Sequence, residues 1–343
     1  MSFTQFDQSD FVISNDSVTA PAWSTNAPTL TSFFTLSGNA TVSYYIDVYQ
    51  TASTLSNAAV QFSIAYGHIN GSGSIPLNPL VPQNTPTRIT FGQYRNLIYG
   101  DAESNVNFGS GATASLDLIA IPIDRNRYKG NLFPGTFNLQ LGFGSYAQKL
   151  KLTDNSNDVS TITYLDCGRA FNIVSGSNGT AANSPLISGA PAKGYTPSGS
   201  YGLFLPDVGL ILLNPTALSL PTAGGGLAVT WSNSTTTNGL NNARTFELIN
   251  SGSSFALNSQ EQISSDYVFV RVRNSEYNYT SNPSIINVSG SLIYPNFINS
   301  PQTYMTTVGL YNTNNDLLAV AKLSKPLVKD FTKEALVRVK LDW

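Results

Sequence analysis

The chain has one histidine, one cysteine and two methionines in 343 residues, and its charged residues make up only 11%. Each scarcity excludes something. A lone Cys167 leaves no intramolecular disulfide, so no disulfide framework staples the fold. In the stretch YLDCGRAF a small buried thiol is its expected role. One His and one Cys do not supply the donors of a structural zinc site. Nor do they give a local signature of a Ser–His–Asp or Cys–His nucleophile. His68, in AYGHINGSG, is therefore read as a turn or interface residue rather than a catalytic one. No apolar run approaches the ~18 residues of a membrane-spanning helix. The first residues, MSFTQFDQSD, have neither a basic nor an apolar leader region. No secretory signal is expected, and synthesis and folding in a cytoplasm are.

Lys and Arg number 18 against 20 Asp and Glu, for a net charge of −2. No basic field extends over the chain, which argues against nucleic acid as a partner. Ordinary soluble domains carry roughly 25% charged residues; here Ser, Thr, Asn and Gly take their place. Neutral polar groups hydrogen-bond at an interface without the cost of desolvating a charge. Such a surface suits a protein largely covered by neighbours, and equally a secreted β domain with a polar exterior. One local asymmetry stands out. Lys322, Lys325, Lys329, Lys333, Arg338 and Lys340 place six of the 18 basic residues in the last 22 positions. They read either as a solvated strand face or charged edge that blocks stray pairing, or as a docking surface for an acidic neighbour. These six are the candidate protein-docking residues.

What the chain does have is β pattern. Hydrophobic residues reach 41%, enough for a sizeable core. The apolar period is two through Thr41–Val48, Ala59–Tyr66, Leu116–Ile123, Thr136–Phe143 and Lys149–Leu152. Ser160–Leu165 and Ala170–Val174 read as a strand pair, and Leu210–Leu213 as a short apolar strand. Pro122 argues for an edge or strand end. Asp266–Arg273 carries bulk on both sides and is expected to be covered on both faces. Thr303–Tyr311 and Leu317–Leu323 form a hairpin around Asn312–Asp316. Short helices fit Arg88–Tyr99 and Arg244–Asn250. Ser324–Leu336 is ambiguous, because Pro326 suits a helix start and Val337 and Val339 favour strand. The expected fold class is mostly β: antiparallel β-sandwich or jelly-roll-like modules with long loops and little helix. Two stretches, Ser175–Ser200 and Leu220–Asn242, are rich in Gly, Ser, Thr and Asn and read as linkers or arms. The expected division is an N-terminal β domain over 1–175, a linker or arm over 176–200, and a C-terminal β domain over 201–343.

Other candidate chemistry is thin. In TDNSND, Asp154, Ser156 and Asp158 have the first, third and fifth spacing of an EF-hand loop. Val159 and Leu165 stand where that loop needs Gly and an acid, so an Asx-rich turn is favoured. Asp124-Arg125-Asn126-Arg127 reads as an exposed polar turn. Gly224-Gly225-Gly226 lacks the Lys-Ser or Lys-Thr of a phosphate loop. No convincing carboxylate pair for glycoside hydrolysis is found. No metal or cofactor is expected.

Whole segments carry a resemblance: YGHINGSGS, FGQYRNLIYGD, PIDRNRYKGNLFPGTFNLQLG, LTDNSNDVSTITYLDCGRAFNIVSGSNGT, GSYGLFLPDVGLILLNP and YMTTVGLYNTNNDLLAVAKLSKPLVKDFTKEALVRVKLDW. From about Phe11 to Trp343 the chain resembles large virion structural proteins of contractile-tailed phages, especially T-even-type phages of cyanobacteria. The resemblance is densest from Asp266 onward. It implies a non-enzymatic part of the virion, in the first place a tail baseplate or wedge component. Its implied partners are other tail proteins and copies of itself, with no nucleic acid and no membrane insertion. The chain departs from a tail spike in having no repeated β-helix period. A receptor- or glycan-binding tail-tip module, with Tyr277 and Tyr279 stacking on sugars, is the alternative. A head or neck protein is another.

Overall fold

The structure, a computed structural model, describes residues 4–35, 44–81, 84–109, 114–142, 149–182, 188–280 and 282–342. It is mostly β, with antiparallel sheets and little helix. In chain order the first strands are β1 (Phe11–Pro21), β2 (Thr29–Leu30), β3 (Phe34–Thr35), β4 (Ile46–Tyr49), β5 (Val60–His68), β6 (Asp117–Pro122) and β7 (Asn131–Leu132). There follow β8 (Asn138–Leu141), β9 (Leu150–Asp154), β10 (Thr163–Leu165), β11 (Gly168–Ser177), β12 (Thr180–Ala181), β13 (Gly202–Leu205) and β14 (Leu210–Leu213). The last are β15 (Ser254–Ala256), β16 (Asn258–Val272), β17 (Thr303–Tyr311), β18 (Leu317–Lys329) and β19 (Ala335–Asp342). The helices are α1 (Pro86–Tyr99), α2 (Pro215–Ser219), α3 (Leu240–Gly252) and the single turn α4 (Asn296–Asn299). The first three residues of the strand expected over Thr41–Val48 lie outside the described residues.

The chain divides into two compact units, Val18–Glu261 and a second that joins Met1–Ser17 to Gln262–Trp343. The boundary expected near Ser175 is therefore corrected. Strand β11 runs through Ser175 and pairs with β9 on one side and β13 on the other. Residues 183–187 of the stretch after it lie outside the described residues, and its described residues are held in place as well: Ser175 N–H donates to Gly194 O at 2.8 Å, and Ser200 N–H donates to Phe108 O at 2.9 Å. Residues 220–242 are likewise part of the larger unit. Leu227 and Val229 are buried in its core, and Trp231 Nε1 donates to Pro215 O at 2.9 Å. Both stretches are rich in turn-forming residues, and their anchoring partners are distant in sequence, so composition alone presents them as linkers.

The larger unit is built on one sheet with the order β2-β15-β8-β9-β11-β13-β14-β6-β5-β4-β3, flanked by β10 and β12 on β11. It curls into a half-barrel. Its central strands β13 and β14 are buried throughout, as their unbroken apolar sequences GLFL and LILL require. Alternate residues serve two cores. Ile119, Ile121, Phe204, Ile211 and Leu213 face one, which Leu248 and Ile249 of α3 help to fill. Leu118, Ala120, Leu203, Leu205 and Leu212 face the other, against Phe91 and Ile98 of α1. Helix α1 starts where the sequence supplies a cap. Thr85 Oγ1 accepts from Arg88 N–H, Pro86 opens the first turn, and Gly100 ends it with φ 69°. Gly67 lets α1 approach β5, because a Cβ there would lie 2.7 Å from Phe91 N.

Aromatic rings pack together in the first of these cores. Phe255 lies edge-on to Trp23 at 4.8 Å, Phe62 at 5.4 Å and Phe137 at 5.9 Å, and Phe137 stacks on Phe204 at 5.4 Å. Trp23 Nε1 donates to Phe255 O at 2.9 Å, so its one polar atom is satisfied in the core.

In the smaller unit, β16 is flanked by β1 and β19, and the β17–β18 hairpin forms a second layer. Val268, Val337, Val339 and Leu310 are buried between the layers, with Ala319, Ala321 and Leu323 packed against them. The segment Asp266–Arg273 was expected to be covered on both faces and is covered on one. Val268 and Val272 are buried, while Tyr267 and Phe269 are half-exposed beside basic residues of β19. The hairpin turn is as its sequence implies: Asn312 Oδ1 accepts from Asn314 and Asp316 N–H, and Asn315 takes φ 64°. The ambiguous Ser324–Leu336 resolves as strand, turn and strand. Pairing steps from Met305↔Leu327 to Thr307↔Lys322, so a bulge in β18 holds Pro326, where no ladder N–H is needed.

Truncating Phe255, which contacts three other rings, is expected to destabilise the larger unit by about 3–5 kcal/mol. Urea unfolding of Phe255→Ala, followed by tryptophan fluorescence, measures it; a loss under about 1 kcal/mol contradicts this packing.

Candidate docking surface

The six basic residues near the end of the chain do not form one patch. Lys329 is fully buried. Its Nζ donates to Asn274 O at 2.9 Å, Asn278 Oδ1 at 2.9 Å and Asp330 O at 2.8 Å. Three acceptors use all three ammonium protons, and the cation fastens the 274–278 loop to the end of β18. Its expected place on a docking surface is therefore corrected: its charge is committed inside the unit. No sequence signal separates Lys329 from its exposed neighbours, because its partners are backbone carbonyls and one amide rather than a carboxylate.

Lys333 and Lys340 are exposed but paired. Lys333 Nζ lies 3.3 Å from Asp330 Oδ2. Lys340 Nζ lies 3.0 Å from Asp342 Oδ1 and 3.6 Å from Asp16 Oδ2. The Asp342 carboxyl is held below its ordinary range by the Ser265 hydroxyl and then by Lys340. These are surface pairs and add little to stability.

Arg338 and Lys340 extend from the outer face of β19, because the alternate residues Val337 and Val339 point into the core. Tyr267, opposite Lys340 in the ladder, receives both: the Arg338 guanidinium lies 5.3 Å from its ring centre and Lys340 Nζ 5.9 Å. Phe269 and Leu336 extend this face. Lys322 belongs to the other layer. Ala321 and Leu323 face the core, which turns Lys322 outward beside the exposed Leu318 and Val320. Lys325 is exposed in the β18 bulge. Among the described residues, Lys322, Lys325 and Arg338 make no ion pair closer than 4.0 Å. The geometry thus offers a cation–aromatic face on β19 and an apolar face with one cation on the hairpin.

The most strongly perturbed titratable groups lie in the larger unit, around His68. Tyr66 and His68 project from one face of β5, and Asp117 stands opposite His68 on β6. Tyr66 Oη donates to Asp117 Oδ2 at 3.1 Å. Burial pushes the Asp117 carboxyl up to about 6, against the hydrogen bonds that favour its charge. Burial and the Asp117 charge push the Tyr66 phenol up. Burial lowers His68, whose Nδ1 accepts from Asn70 N–H at 3.1 Å. The cavity that Tyr66 borders with Ser74, Thr87 and Asn241 is about 10 Å³, the space of a single water. His68 was read as a turn residue, and it does stand at a strand end. Sequence reading missed Asp117, whose pairing with β5 comes from a strand 50 residues away.

The remaining sequence candidates take structural roles. Asp154 is buried, and its carboxylate accepts from Gly135 and Ser156 N–H, the arrangement of an Asx turn. Burial pushes its carboxyl up. Among the described residues no cluster of His, Cys, Asp and Glu is placed to hold a metal. Asp124 caps a short helical turn through Asn126 N–H, and Arg125 lies over the Tyr128 ring. Cys167 is half-buried, and burial pushes its thiol up, away from a reactive thiolate. No helix among the described residues is long and apolar enough to cross a membrane.

Comparison of the chain with protein-family models, curated proteins and solved structures finds no match in any of the three.

Two predictions separate buried from surface roles. Lys329→Met is expected to destabilise the smaller unit by about 1–3 kcal/mol, since it leaves carbonyls unpaired. Lys325→Glu is expected to change stability by under about 0.5 kcal/mol; urea melts of both variants distinguish them. Asp117 titrates near 6 when folded, above its ordinary 3.8, so it is bound to its proton more tightly in the folded state. Its contribution to stability is full below pH 4, falls as pH rises to about 6, and is lost above, a change of roughly 3 kcal/mol. Asp117→Asn is expected to flatten that slope and to be the more stable protein at pH 8; melts from pH 4 to pH 8 check it.

Proposed function

We propose that the chain is a non-enzymatic structural component of a phage virion, in the first place of the contractile-tail baseplate or wedge, and that it acts by assembly with other tail proteins and copies of itself. Its place is the virion, after synthesis in the host cytoplasm. The resemblance of whole segments to phage structural proteins supports the class. The observation that carries the assembly reading is the large apolar surface left on the smaller unit. On the hairpin layer Leu318, Val320 and Tyr304 are each more than half exposed, and on the β19 layer Leu336 is as well. Exposed large apolar side chains on strand faces are what an interaction site offers. Among the described residues, strands β1 and β19 end the order of their sheet and offer backbone edges suited to pairing with a neighbouring strand. Arg338, over Tyr267, offers a cation to an acidic partner, while Lys340 beside it is shared with Asp342 and Asp16. Lys322 and Lys325 offer a second approach, and Lys329 none.

A second reading, a glycan-binding tail-tip module, is favoured by Tyr277 and Tyr279, both exposed in the loop that Lys329 fastens.

The test is electron microscopy of intact virions labelled with an antibody against the chain. Label at the distal end of the tail is the expected result. Label at head or collar contradicts the baseplate assignment, and absence of the protein from virions by mass spectrometry contradicts the structural role. Arg338→Glu is expected to reduce incorporation at least tenfold without lowering the melting temperature; normal incorporation contradicts docking through β19.

A further inference from the structure

The stretch that composition marks as a linker forms one wall of a cavity in the larger unit. The cavity measures about 450 Å³ and is lined by Asn155, Asp158, Val159, Val174, Lys193 and Tyr195, among others. That volume is within the ~300–1,000 Å³ of small-molecule sites.

Three segments build it, and each is fastened. The loop after β9 is tied to the β11–β12 hairpin: Ala181 N–H donates to an Asp158 carboxylate oxygen at 2.6 Å, and Asn157 Nδ2 donates to Asn178 O at 2.8 Å. The hairpin turns at Asn178-Gly179, both with positive φ. The third segment, residues 192–195, is pinned at Gly194. Its carbonyl accepts from Ser175 N–H, and a Cβ there would meet Ala181 Cβ at 2.9 Å and Val174 Cβ at 3.1 Å. Gly194 thus holds Lys193 and Tyr195 on either side of itself.

The polar groups are set out for a ligand. Asp158 has used one carboxylate oxygen on Ala181 N–H. Lys193 is exposed and lies in no ion pair closer than 4.0 Å among the described residues. Asn155 is buried: its Oδ1 accepts from Asn172 N–H at 2.9 Å, and its Nδ2 donates to Tyr195 Oη at 3.4 Å. The Tyr195 oxygen accepts from that amide, and the Asn172 side chain faces the same hydroxyl. Burial pushes that phenol up, so it stays protonated. One carboxylate and one ammonium cancel, leaving no net charge to select an anion or a cation. The half-buried Val159 and Ala181 and the exposed Ala192 supply the apolar part of the lining, and Val174 lies fully buried behind it.

We propose that this cavity binds a small neutral saccharide. A carboxylate accepting from ring hydroxyls, an ammonium donating to them, a phenol ring beside them, and the alkyl groups of Val159, Ala181 and Ala192 against C–H groups match a sugar's mixed surface. The site is independent of the docking faces of the smaller unit and of any place in a virion.

The experiment is saturation-transfer NMR on the full chain with glucose, galactose, N-acetylglucosamine and rhamnose at millimolar concentration, with glycine and lysine as zwitterionic probes. Saturation transfer to at least one sugar is expected. It should weaken at least tenfold in Tyr195→Phe and in Lys193→Ala, with melting temperatures within a few degrees of the parent. Lys193→Ala removes an exposed side chain and keeps the test valid if Tyr195→Phe is unstable. Transfer to none of the sugars, transfer to the amino acids alone, or sugar binding unchanged in Lys193→Ala overturns the proposal.

Discussion

Backbone N–H and carbonyl groups in the long connections must be satisfied away from water, and this chain does so with neutral amide and hydroxyl side chains. Gln61, fully buried, accepts from Ser24 N–H through Oε1 and donates through Nε2 to the Ser24 hydroxyl and Gln50 Oε1. Asn214 caps α2 with its oxygen and reaches the Ser198 and Ser200 carbonyls with its nitrogen. Asn242 accepts from Tyr66 N–H and donates to Tyr44 O. Thr153 joins Phe137 O to Gly179 N–H. Low charge content is thus a condition of the fold as well as of its surface. Connections with few strands of their own become fixed parts of the larger unit, because short polar side chains bind the backbone locally and at a distance.

Ionic groups are used sparingly, at places where they fasten segments. Arg169 grips Asp207 with Nε and Nη2, and its backbone N–H donates to the same carboxylate. Burial alone would raise that carboxyl; the Arg169 hydrogen bonds outweigh it and hold it below its ordinary range. Lys329 does the same for the loop at 274–278 with neutral acceptors only. These two residues are the reason the basic positions of the chain cannot be counted together as a surface field.

Much of the fold was legible in the sequence. Period-two runs located β5, β6, β8 and β9, since alternation reports directly which face is buried; the apolar run Leu210–Leu213 marked β14, and the polar turn Asn312–Asp316 marked the terminal hairpin. Helices α1 and α3 were legible as short helical stretches. The division into units was not, because it depends on strands β1 and β19 from opposite ends of the chain both pairing with β16, and periodicity carries no partner information. The docking residues were legible as charges but not as positions. Alternation on β19 places Arg338 and Lys340 outward, whereas the fate of Lys329 was decided by a loop 50 residues earlier. The saccharide cavity was hidden for a related reason: its walls come from the stretch whose composition resembles a linker.

Hydrogen–deuterium exchange across residues 172–202 tests most directly the claim that hydrogen bonds to neutral side chains and to backbone carbonyls fix these connections into the larger unit. The account predicts slow exchange at Asn172, Ser175, Gly179 and Ser200, whose N–H groups have named acceptors, at rates comparable to β13 and β14. Exchange at the rate of an unstructured chain from Ser175 to Ser200, with protected strands on either side, would contradict it and restore a linker between two domains.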